Sequence, residues 1–116
     1  MMRKATAQSR GADAAERRLI HWIKTEGICH ACGNNNGVYV HHMYGATWKF
    51  RRMHLGHIAV IGLCEACDAI ITRGSRRAFV DKFGPQSQLW AKMIELYPQK
   101  YEFRKEEIDA IISYGK

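Results

Sequence analysis

Residues 28–68 read ICHACGNNNGVYVHHMYGATWKFRRMHLGHIAVIGLCEACD, a stretch that holds all four cysteines and five of the six histidines of the 116-residue chain. Cys29-His30-Ala31-Cys32 and Cys64-Glu65-Ala66-Cys67 are two C-x2-C pairs separated by 31 residues. A two-residue spacer lets both thiolates of a knuckle point at one tetrahedral ion, and a second knuckle completes a closed S4 site with no open position for substrate. Gly33 and the run Asn34-Asn35-Asn36-Gly37 suit the tight turn of such a knuckle. The spacing therefore predicts a structural zinc site on Cys29, Cys32, Cys64 and Cys67, against the competing readings of an iron–sulfur centre, a redox pair or simple burial. His30 lies between two ligands and is expected to be exposed rather than coordinating.

Between the knuckles, β-like runs occur at residues 38–40 and 58–61. The first ends in His41-His42. Neighbouring residues on a strand point to opposite faces, so the two imidazoles are placed to do different work, one holding an ion and the other activating water, against the plainer reading of a solvated or hydrogen-bonded pair at a strand end.

Outward from this region the chain reads as helices. Ala15, Leu19, Trp22 and Ile23 recur at helical spacing over residues 14–26, with Asp13 as N-cap and Gly27 as stop. Ser75 is placed to cap a short helix through Lys82, and Phe83-Gly84-Pro85 breaks it before the next. Leu89, Trp90, Met93, Ile94 and Tyr97 then form an apolar stripe that reads as core, ended by Pro98. Residues 104–113 repeat the pattern through Ile108, Ile111 and Ile112, a face expected to pack on the body, on another copy or on a protein partner. Residues 1–12, with Arg3, Lys4 and Arg10 and almost nothing to bury, are expected to be a flexible basic arm ahead of a single domain over 13–116.

With 18 Lys+Arg against 11 Asp+Glu the net charge is +7, which favours a polyanionic partner, most simply nucleic acid, over an acidic small substrate. No run reaches the roughly 20 apolar residues that a membrane helix needs, and no apolar segment follows the basic start as in a signal peptide. The expectation is a soluble, cytoplasmic protein without membrane association. In a reducing compartment, paired cysteines are metal ligands more often than disulfides.

A knuckle, a strand ending in His-His, a loop, a strand running into a second knuckle and then a helix resembles the ββα-metal arrangement of the HNH endonucleases. Among these the chain is most similar to the phage recombination enhancement function (Ref) family of RecA-dependent nucleases. The matching residues are His41-His42 followed by Gly45, Gly56-His57 ahead of Leu63-Cys64, and Ser75, Phe79 and Phe83-Gly84, over roughly residues 28–97. The resemblance implies a small α+β fold, with a zinc-stapled ββα-metal core at about residues 28–74 and helices over 75–116. It implies a metal-dependent DNA endonuclease acting in recombination or replication, on DNA covered by a RecA filament.

Carried over position by position, His42 becomes the general base that deprotonates the attacking water. His41 becomes a ligand of a catalytic divalent ion, magnesium or manganese, and His57 a group that orients the base or touches phosphate. The chain departs from the family directly after the second knuckle, where it reads Cys67-Asp68 in place of a following His. Either Asp68 replaces that histidine as an oxygen ligand, which favours harder cations, or the catalytic site is lost and a noncatalytic zinc-containing nucleic-acid-binding module remains. Lys49, Arg51, Arg52, Arg73, Arg76 and Arg77 surround the proposed site in sequence. They suit phosphate contacts without sequence readout, with Trp48 and Phe50 available to stack on unpaired bases.

Overall fold

The computed structural model describes residues 11–114. Most of the expected basic arm, including Arg3, Lys4 and Arg10, lies outside the described residues. The fold is a small α+β arrangement of five α-helices and two two-stranded antiparallel sheets.

Helix α1 spans Ala14–Glu26 and begins with a complete capping box. The Glu16 amide donates to Asp13 Oδ1 at 2.9 Å and the Asp13 amide donates to Glu16 Oε1 at 2.8 Å, which satisfies two otherwise orphaned donors. Gly27 stops the helix in the left-handed conformation. Leu19 and Ile23 on its inner face are fully buried.

The central sheet pairs β1 (Tyr39–His42) with β4 (Val60–Leu63), in the register Tyr39↔Leu63, Val40↔Gly62, His41↔Ile61 and His42↔Val60. All of β4 is buried and it forms the floor of the core. Gly62 lets this strand lie close under its neighbours, since a Cβ would sit 2.9 Å from Ile23 Cγ2 and 3.1 Å from Val38 Cγ2. Both strands lie later in the chain than the apolar runs suggested. Ile58 and Ala59 are buried in a turn, with both amides donating to the Leu55 carbonyl, rather than in a strand.

The connection between β1 and β4 contains a hairpin that the sequence did not announce, β2 (Lys49–Phe50) and β3 (Met53–His54). Its two turn residues, Arg51 and Arg52, both have positive φ, 52° and 69°. That geometry is the one a two-residue hairpin loop demands, although Asn-Gly is its usual occupant.

Helix α2 (Glu65–Ala69) starts on Cys64 and runs on into a π-helical turn, Ile70–Gly74. Helix α3 (Arg76–Phe83) is capped by the Ser75 hydroxyl, which accepts from the Ala78 amide at 3.0 Å. Helix α4 (Gln86–Leu96) follows Pro85. Its stripe is core as expected, and buried Trp90 donates from Nε1 to the Ile58 carbonyl at 2.9 Å. Helix α5 (Lys105–Tyr114) packs against α4, with Ile111 wholly buried and Ile108 and Ile112 partly so. Of the expected alternatives for this face, the structure shows packing on the body of the domain.

Candidate metal centre and histidine cluster

The two knuckles meet because α1 and β4 do. Cys29 and Cys32 lie on the loop leaving α1, whereas Cys64 caps α2 and Cys67 lies one turn into it. The four sulfurs are within 4.8 Å of one another, and Cys32 Sγ is 3.7 Å from Cys64 Sγ. A Zn–S bond of about 2.3 Å places the sulfurs of a tetrahedron roughly 3.8 Å apart, so the thiols are spaced for coordination. They are too far apart for a disulfide of about 2.05 Å. Burial and the other thiols push Cys67 upward. Burial opposes ionisation of Cys29 as well, but amides from Cys32, Cys64 and Ala31 outweigh it and bring that thiol down to about 7. Crowded thiols with one poised to ionise are suited to a cation, and an all-sulfur tetrahedral set favours zinc among the common divalent ions.

His30 corrects the sequence reading. It is half-buried and holds the knuckles together: its amide donates to the Gly62 carbonyl at 2.8 Å, and the Gly62 amide donates back to His30 Nδ1 at 2.9 Å. The side chain extends the β4 ladder by one bond, and burial lowers its pKa, which keeps Nδ1 available as an acceptor.

His41 and His42 end β1 with their imidazoles in different surroundings, as strand alternation requires. His41 faces α2, its Nδ1 lying 3.7 Å from Asp68 Oδ1. That separation is beyond a hydrogen bond. It is within the reach of two donors on one ion, each about 2.0–2.2 Å from it. The His41 ring is mostly buried, and its Nε2 has no hydrogen-bond partner among the described residues. Burial and, more weakly, the Arg76 charge lower its pKa, against opposing effects of Asp68 and Gln86. His41 and Asp68 are thus spaced so that both could reach one divalent ion, and a nitrogen beside a carboxylate oxygen suits manganese, nickel or zinc at least as well as magnesium, which prefers oxygen ligands. No third His, Cys, Asp or Glu among the described residues joins them in a cluster.

His42 Nε2 lies 3.1 Å from His57 Nδ1, with the rings edge to face. Only one of those facing nitrogens can carry the proton. Burial, followed by His57 and His41, lowers the His42 pKa and favours the neutral imidazole. The turn that carries the pair is held by a backbone contact that only glycine permits. A Cβ on Gly56 would lie 2.2 Å from the Ala46 carbonyl oxygen.

The basic residues divide into two groups. Arg73, Arg76 and Arg77 are exposed on the π turn and α3, and Arg76 is close enough to act electrostatically on both His41 and Tyr44. Lys49, Arg51 and Arg52 are exposed on the β2–β3 hairpin, where Arg51 lies over the Phe50 ring and lines a cleft with Glu106 and Asp109. Trp48 and Phe50 are half-buried and packed against other rings. Tyr44, Trp48, Phe50 and Tyr114 form a cluster with ring centroids 4.6–6.2 Å apart.

Sequence reasoning missed Gln86 and Ser87, buried polar residues at the start of α4 beside His41 and Tyr44. The signal was present: position 86 falls on the same helical face as Trp90, Met93 and Tyr97, so a polar side chain there interrupts an apolar stripe. Neither family models, curated proteins nor solved structures contain a match to this chain. Among the described residues no helix is long and apolar enough to cross a membrane.

Proposed function

We propose that the protein is a metal-dependent endonuclease of the HNH type that hydrolyses DNA phosphodiester bonds. The observation that carries the reading is the end of β1, where His41 Nδ1 faces Asp68 Oδ1 and His42 Nε2 lies within hydrogen-bond distance of His57 Nδ1. One strand terminus thus offers a cation site and a neutral base side by side.

In this reading Cys29, Cys32, Cys64 and Cys67 hold a structural zinc. His41 and Asp68 hold a magnesium or manganese ion, which when bound stabilises charge developing on the phosphate and the leaving 3′ oxygen. His42 donates from Nε2 to His57 Nδ1, so its Nδ1 lone pair accepts a proton from water as that water forms the new P–O bond and the bond to the 3′ oxygen breaks. His57 positions the base. Arg76, with Arg73 and Arg77, contacts phosphates, and Lys49, Arg51 and Arg52 extend the contact along the backbone. Loss of contact to either group weakens binding without altering sequence preference. The Ref resemblance adds a RecA filament as the natural form of the substrate.

The test is a gel assay of zinc-loaded protein on circular single- and double-stranded DNA, with EDTA, magnesium or manganese, and with and without RecA. Cleavage requires the divalent ion and is abolished in His42→Ala, which keeps its zinc and its fold. Cleavage by His42→Ala at the wild-type rate refutes the reading. DNA that is bound in a salt-sensitive manner but never cut favours the noncatalytic binding module.

A further inference from the structure

Gln86 is the first residue of α4, more than 40 residues along the chain from His41, yet its side chain lies close enough to act on the His41 ring. It is 7 % exposed. Gln86 Oε1 and His41 Nε2 are both buried, and neither has a hydrogen-bond partner among the described residues. A buried polar atom left unpaired costs about 1–3 kcal/mol, so two of them on facing side chains are complementary only if they pair with each other. An amide oxygen can only accept. The pairing therefore requires the His41 proton on Nε2.

We propose that Gln86 is a positioning residue that fixes His41 as its Nε2–H tautomer and thereby presents the Nδ1 lone pair to Asp68. The inference rests on the nuclease reading in one respect, the ion that His41 and Asp68 would share. The geometry on the other side of the ring agrees with it. With the proton on Nε2, a lone pair on Nδ1 and a carboxylate oxygen face each other at 3.7 Å, two acceptors with nothing to donate between them. Such an apposition is unfavourable until a cation lies between the two atoms. Metal-binding histidines ordinarily donate their second ring N–H to an acceptor that sets the tautomer. Gln86 supplies that acceptor from a helix outside the β1–β4–α2 unit.

The experiment uses zinc-loaded protein labelled with 15N-histidine. Long-range 1H–15N spectra give the tautomer of His41, assigned by its absence in His41→Ala, and Mn2+ titration gives the affinity of the second site. The expected result is a single Nε2–H tautomer in the wild type and a mixture in Gln86→Met, which keeps the volume but loses the acceptor. Gln86→Glu, which retains an acceptor oxygen, restores the single tautomer. Mn2+ affinity falls about 10–100-fold in Gln86→Met and recovers in Gln86→Glu. A wild-type His41 protonated on Nδ1 overturns the proposal, as does a tautomer that Gln86→Met leaves unchanged. Tautomer control by Gln86 without Mn2+ uptake by the wild type supports the pairing and overturns the nuclease reading instead.

Discussion

Gly56→Ala is the substitution whose consequence follows most directly from the geometry. Gly56 is buried, and a Cβ there would lie 2.2 Å from the Ala46 carbonyl oxygen, 2.5 Å from the Ala46 carbonyl carbon and 2.7 Å from the Gly45 carbonyl oxygen. All three are backbone atoms, so no side chain can rotate away. Ordinary contact begins at 3.4 Å, and the two segments must separate by about 1 Å to admit the methyl group. One segment is the turn that leaves His42; the other leads into His57. Overpacking of a tight contact costs about 1–3 kcal/mol. For a domain of this size each kcal/mol lowers Tm by about 4–8 °C. A displacement of about 1 Å at reacting groups costs on the order of 100-fold in rate. Gly56→Ala is therefore expected to keep its bound zinc, melt about 4–24 °C lower by circular dichroism, and cleave DNA about 100-fold more slowly. Gly62→Ala is the control, because its closest obstacles are the Ile23 and Val38 side-chain methyls and it should melt with a smaller loss. A Gly56→Ala protein that melts within 2 °C of wild type, a threshold below the smallest shift expected from 1 kcal/mol, would refute the close apposition and its role in holding the histidine pair.

Three further outcomes are expected. Cys64→Ser, or stripping of the wild type with a strong chelator, should abolish one equivalent of bound zinc and the cooperative thermal transition, because structural zinc contributes about 10–16 kcal/mol in small domains whose whole stability is about 5–15 kcal/mol; a metal-free chain that melts cooperatively near the wild-type Tm would contradict this. Trp90→Phe should destabilise by about 1–3 kcal/mol in urea unfolding, since the buried Ile58 carbonyl loses the 2.9 Å bond from Trp90 Nε1; an unchanged midpoint would show that water or another donor replaces it. Arg76→Ala should reduce the slope of log K against log salt for DNA binding by about 1, uniformly across sequences; an unchanged slope would remove Arg76 from the phosphate contacts.

The helices were legible because their signals are local. Asp13, Gly27, Ser75 and Pro85 each act on the chain within a turn of their own position, and the helices begin or end where those residues stand. The strands were less so. Ile58 and Ala59 are as buried as Val60 and Ile61, and hydrophobicity reports burial rather than backbone conformation, so the turn before β4 looked like strand. The β2–β3 hairpin escaped notice because Arg51-Arg52 occupies a loop that sequence rules reserve for Asn-Gly. For the candidate site, the thiols were read from spacing alone, since two knuckles have one way to share an ion. His30 was misjudged because its partner, the Gly62 peptide, is 32 residues away. Gln86 lay further still, and only its interruption of an apolar stripe hinted that it faced something polar.

The junction of β4 and α2 ties the thiol cluster to the His41–Asp68 pair. Asp68 directly follows Cys67, and its amide donates to the Cys64 carbonyl at 2.9 Å, so the carboxylate is carried by the helical turn that the thiol cluster anchors. His41 is carried by β1, which is registered on β4, and β4 leads straight into Cys64. The 3.7 Å between His41 Nδ1 and Asp68 Oδ1 is therefore set by the same β4–α2 junction that presents Cys64 and Cys67 to the first knuckle. A perturbation of the cluster too mild to unfold the domain should still move Asp68 relative to His41. Cys32 is the residue to use, because it is the exposed member of the four and lies off that junction. Replacing it with Asp keeps a ligand while changing its reach. If the junction transmits geometry, Cys32→Asp with zinc bound should weaken Mn2+ binding at His41 and Asp68, although it touches neither residue.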